Sequence, residues 1–195
     1  SDRKGVAMSR PGWNRLGVVG ESRFVAKAYC APADAIVVQF ERNIDTTSRV
    51  IHSLYSRVRS EPNYRRLTPT SDVLDYRNFL VSPEVPYVVV NVLELLAYEN
   101  EVNVADWHSL QIIELANSHA TRTLKLNDLI IDRPHRRAWV DELMAVQDGI
   151  GTIYCSIALE SKASDETWRA EYWLSSICTQ TGKVELLSQL EGVFI

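Results

Sequence analysis

A chain of 195 residues with 46% hydrophobic and 24% charged side chains has the length of one domain and enough apolar surface to bury a core. Intrinsic disorder, a collagen-like repeat and a coiled coil are excluded by that composition. The net charge of −4 is unevenly placed, since residues 1–30 hold six Lys and Arg against two acids and residues 138–195 hold three against nine.

An acidic C-terminal third repels phosphate backbones, so a nucleic acid would have to be gripped by the basic N-terminal segment or by local clusters. Arg outnumbers Lys sixteen to five, which suits planar pairing with carboxylates as well as with phosphates. No apolar run approaches the roughly 20 residues that cross a bilayer as a helix, and no apolar stretch follows Ser1-Asp2-Arg3-Lys4-Gly5 at signal-peptide distance. The expected setting is therefore cytoplasmic or virion, with no membrane partner and no secretion by signal peptide. Three cysteines without CxxC spacing speak against a disulfide framework and against a zinc site.

Taken in chain order, residues 1–22 contain Gly5, Pro11, Gly12, Gly17 and Gly20 with little periodicity and read as an extended arm ahead of a single domain over 23–195. Ala35 to Glu41 alternates as a strand does. A helix is expected from Asp45 or Thr46, with Val50, Ile51, Leu54, Tyr55 and Val58 on one face and Pro62 beyond its end. A second short helix is expected over Asp72 to Leu80. Tyr87 to Leu96, β-branched and apolar on both faces, reads as a central strand. Asp106 then caps a third expected helix through about Ala120.

The last third reads as extended at Ala138 to Val146, Thr152 to Glu160, Trp168 to Cys178 and Lys183 to Leu190, divided by the turn signals Asp148-Gly149, Ser164-Asp165 and Thr181-Gly182. Ser164 to Thr167 would equally cap a helix from Trp168 to Gln180; the strand is preferred. The expected class is α+β, with helices packed on one face of a mainly antiparallel sheet, a C-terminal β-meander and an extended N-terminal arm.

Val140-Asp141-Glu142, a hairpin at Asp148-Gly149-Ile150-Gly151, and an apolar strand running into Glu160-Ser161-Lys162 place an acid in one strand and an acid-x-Lys at the end of the next. This arrangement resembles the core of the PD-(D/E)xK nuclease family. The resemblance implies Asp141 or Asp148 with Glu160 as ligands of Mg²⁺ or Mn²⁺, and Lys162 as the catalytic lysine that orients the attacking water. It covers about 23 residues, and a helix after Lys162 would extend it.

His52, His108, His119 and His135 show no i, i+4 pair. Cys30 and Cys155 stand in apolar contexts that suit inert buried thiols. Arg65-Arg66 and Arg133 to Arg137 read as solvated basic clusters. Trp168, Tyr172 and Trp173 alternate faces in a strand, so at least one of these aromatics faces outward, as at protein interfaces.

The leading expectation is a non-catalytic assembly or adaptor subunit without a cofactor, forming a homo-oligomer or docking in a larger complex such as a virus-like tail or neck particle. Its contact residues would be Arg3, Lys4, Arg10 and Arg15 of the arm, crossing to the acidic meander of a neighbour, together with Trp168, Tyr172 and Trp173. A metal-dependent nuclease and a small-molecule or peptide-binding domain stand as alternatives.

Overall fold

The computed structural model describes residues 22–43, 50–98, 101–115, 121–125, 137–147, 149, 151–162 and 167–190, with backbone alone at 22, 95–98, 101–108, 137 and 168. Twelve strands make up nearly all of it. The first four are β1 (Ser22–Cys30), β2 (Ala35–Asn43), β3 (Val50–Val58) and β4 (Arg65–Arg66); the next four are β5 (Leu74–Val81), β6 (Tyr87–Tyr98), β7 (Glu101–Glu114) and β8 (Thr121–Lys125). The last four are β9 (Arg137–Gln147), β10 (Thr152–Lys162), β11 (Trp168–Cys178) and β12 (Val184–Gln189).

Each group of four forms its own antiparallel sheet, with strands neighbouring one another in chain order. The first strands lie side by side in space, β1 near β5 and β5 near β9, while the third strand of one sheet packs on the first strand of the next, β3 on β5 and β7 on β9. Four-stranded meanders stacked in this way have the arrangement of neighbouring blades in a β-propeller.

The middle sheet is buried on both faces. Val88, Val90, Val92, Tyr76 and Ile113 pack against Cys30, Ala35, Val37 and Leu54 of the first sheet. Val89, Leu110, Ile112 and Leu124 pack against Ala138, Val140, Ile153, Cys155, Ile157 and Leu159 of the third. This double burial explains why Tyr87 to Leu93 is nearly continuous in apolar residues. In β10 only the odd positions from Ile153 to Leu159 join the inter-sheet core, which leaves the alternation visible.

The expected α+β class is corrected to all-β, because no α-helix occurs among the described residues, where helical geometry is confined to 3-10 positions such as Ala31–Ala33. None there is long and apolar enough to cross a membrane. The three expected helices are strands β3, β5 and β7. In β3 both faces are covered: Leu54 joins the core between sheets, and Tyr55 joins a cluster with Val38, Phe40 and Tyr64 on the opposite face. Apolar residues on both faces produce three- and four-residue spacings that imitate a helix.

Strand β5 carries a register shift at Tyr76/Phe79 that breaks the two-residue period marking a strand, while in β7 Leu110 and Ile112 join the core on one face and Ile113 the core on the other. The segment from Trp168 is strand β11 rather than a helix. The arm over 1–22 lies outside the described residues apart from the start of β1. Nothing among the described residues supports the expected assembly, oligomer or virion role.

Candidate functional site: the groove between the first strands

Among the described residues, strands β1, β5 and β9 each pair on one side only, and their other edges face one another where the three sheets converge. The groove between them has a volume of about 500 Å³. Ala26, Lys27 and Ala28 of β1, Gln39 of β2, Asn78 and Phe79 of β5, and Asp141, Glu142 and Leu143 of β9 line it.

All three first strands bulge near this groove. Val25 is the extra residue of β1 between the pairs Phe24↔Phe40 and Ala26↔Gln39. Arg77 and Asn78 together oppose Asn91. In β9, Asp141 is extra between Val140↔Ile157 and Glu142↔Ser156, and Met144 between Leu143↔Cys155 and Ala145↔Tyr154. A bulge re-aims side chains that would otherwise alternate, and here it leaves Asp141 and Glu142 exposed side by side between the buried Val140 and Leu143.

Polar side chains fasten these irregular backbones. Gln39 Nε2 donates to the carbonyls of Tyr76, at 2.7 Å, and Arg77. Asn78 Nδ2 donates to the Asp141 carbonyl at 3.2 Å, bridging β5 and β9. Asn91 Nδ2 donates to the Val140 carbonyl at 2.8 Å, and the Glu142 N–H donates to Ser156 Oγ at 3.0 Å. Ser156 Oγ in turn lies 3.5 Å from Asp141 Oδ2. Ser156 is 2% exposed and Asn91 4%, so a packed polar layer holds the acidic pair from behind.

The residues implied by the nuclease resemblance are dispersed. Asp141 is in the groove, but Glu160 pairs with Arg137, four residues up β9, which is about 13 Å at the usual rise per strand residue. Lys162 is exposed and pairs with Trp168 at the far end of the hairpin; Asp148 lies outside the described residues. Among the described residues no group of three or more His, Cys, Asp and Glu could hold a metal ion.

Of the expected contact residues, Arg3, Lys4, Arg10 and Arg15 lie outside the described residues, as does the side chain of Trp168. Trp173 packs against the core between the second and third sheets, whereas its neighbour Tyr172 pairs with Ala158, a residue on the other face of that sheet. Trp173 thus serves sheet packing.

A second polar cluster joins the first two sheets. Asp75, 1% exposed, accepts the backbone N–H of His52 at 2.8 Å on Oδ1 and Arg77 Nε at 2.8 Å on Oδ2. His52 Nδ1 also lies 2.8 Å from Oδ1, and its Nε2 lies 3.8 Å from Glu41 Oε2. Burial works to raise the Asp75 carboxyl, and the hydrogen bonds from His52 and Arg77 outweigh it, so the group titrates below its ordinary value. Both carboxylate oxygens are engaged, which makes this cluster a clasp between sheets.

The sequence reasoning selected Asp141 and passed over Lys27, Asn78, Asn91 and Ser156. A readable signal was present: Val140-Asp141-Glu142-Leu143 and Tyr76-Arg77-Asn78-Phe79 each set two polar residues between two apolar ones, which a regular strand with one buried face does not do. No family model, no curated protein and no solved structure matches this chain.

Proposed function

We propose that the chain is a non-catalytic docking module that receives an extended segment of a protein partner in the groove between β1, β5 and β9. The observation that carries this reading is the convergence of bulges from all three first strands on one groove. The carbonyls of Tyr76, Arg77, Val140 and Asp141 are held by the side chains of Gln39, Asn91 and Asn78, so an added segment would pair with other backbone groups along these strand edges. Lys27 on one wall and Asp141 with Glu142 on another offer charges of both signs.

The test is selection of a displayed random-peptide library on the wild-type protein, followed by binding to a double variant, Asp141→Lys with Glu142→Lys. Selected peptides are expected to lose at least about tenfold in affinity to a variant with unchanged thermal melting. Peptides that bind both proteins equally, or no enrichment at all, would overturn the proposal.

A further inference from the structure

A second cavity lies between the second and third sheets, and we infer that it binds a small carboxylic acid with an apolar body, the carboxylate held by Arg122 and Thr179. The site is independent of the docking groove and shares none of its lining residues.

The cavity has a volume of about 490 Å³, within the range that receives small molecules. Val85 and Pro86 of the connection into β6, Tyr87 at the start of that strand and Ile112 of β7 give it an apolar wall. Ile112 pairs with Arg122 of β8, and Tyr87 pairs with Glu114. Residues 112 and 114 of one strand point the same way, so these four side chains share the face on which Ile112 and Tyr87 meet the third sheet. Thr179, directly after β11, enters the cavity from the third sheet.

Thr179 carries the inference. It is only 8% exposed, and its N–H donates to the Gly151 carbonyl at 2.7 Å. Its hydroxyl has no hydrogen-bond partner among the described residues. The unpartnered hydroxyl of Tyr76 is sealed from solvent, whereas that of Thr179 is not, and the space beside Thr179 is this cavity. A polar group so deeply placed is ordinarily paired, and a ligand oxygen supplies the partner. Arg122, exposed on the side of the second sheet, also has no ion pair or hydrogen bond among the described residues.

A guanidinium and a hydroxyl both donate to a carboxylate, and the guanidinium does so with charge assistance. Glu114 on the same wall offsets the charge of Arg122, which favours a monoanion over a phosphate ester carrying nearly two charges. The apolar wall gains from covering by hydrocarbon, so a carboxylate without an apolar body forgoes most of the site.

The test uses the full chain, labelled with ¹⁵N, and matched probes: phenylacetate with phenylacetamide, 4-methylvalerate with 4-methylvaleramide, and acetate. At least one of the two larger acids is expected to shift the backbone amides of Tyr87, Ile112, Arg122 and Thr179 saturably, and to bind at least about tenfold more tightly than its amide and than acetate. Thr179→Val keeps the shape of the side chain and breaks no hydrogen bond made by that hydroxyl, and Arg122→Gln changes an exposed residue. Each is expected to weaken the acid about tenfold with unchanged melting. No saturable shift from either acid, equal binding of acid and amide, shifts confined to other residues, or full affinity in either variant would overturn the inference.

Discussion

His52 Nδ1 lies 2.8 Å from Asp75 Oδ1, a contact that ties the third strand of the first sheet to the first strand of the second. The ionised carboxylate accepts only, so it selects the imidazole tautomer with the proton on Nδ1. The backbone N–H of His52 reaches the same oxygen and Arg77 the other, so three donors lose a charged acceptor if the carboxylate is neutralised.

Asp75 accordingly links stability to pH. Its carboxyl titrates below the reference value of 3.8 in the folded protein, so its contribution is complete above that pH and is lost as pH falls through the folded value. The urea midpoint, followed by circular dichroism, is expected to drop between about pH 5 and about pH 2. Asp75→Asn is expected to cost about 3 kcal/mol at neutral pH, as for removal of one partner from a buried pair, and to flatten part of that acid drop. An unchanged acid profile in the variant would show that the clasp carries no such linkage.

Gly151, the turn residue just ahead of β10, has φ 60°, and its carbonyl accepts the Thr179 N–H at 2.7 Å. A Cβ added there would stand 2.9 Å from Thr179 Oγ1. Gly151→Ala therefore meets both the left-handed penalty and a close contact, and a loss of about 1–2 kcal/mol is expected. Chemical denaturation measures it. Gly149, with nothing within 4 Å of its added Cβ, is the control and should lose less.

The three thiols should separate kinetically. Hydrogen bonds from the Thr181 hydroxyl and from the Thr181 and Gln180 N–H groups lower the Cys178 thiol, which is partly exposed. Burial pushes Cys155 up to about 12, and Cys30 is also buried. One fast phase with an aromatic disulfide reagent is expected in the folded protein, absent in Cys178→Ser, and two further thiols should appear on unfolding. A fast phase that persists in Cys178→Ser would contradict this assignment.

What could be read from the sequence was set by how many faces each strand buries. In the third sheet β10 sends its large apolar residues Ile153, Cys155, Ile157 and Leu159 to one face and the smaller Ser156 and Ala158, also buried, to the other, so its strands were legible from alternation and turn residues. Strand β3 buries Leu54 on one face and Tyr55 on the other, and β5 slips register at Arg77–Asn78. Their patterns no longer distinguish a period of two from one of 3.6, which is why helices were expected there.

The sequence by itself determined the apolar content for a core, the inert character of Cys30 and Cys155, and the acidic residue Asp141 as a position of interest. Only the tertiary structure decided what surrounds Asp141. Lys27, Asn78, Asn91 and Ser156 come from four different strands and are separated from Asp141 by between 15 and 114 positions in the chain. No local period records such a meeting, because it arises when three separate sheets stack and their first strands converge.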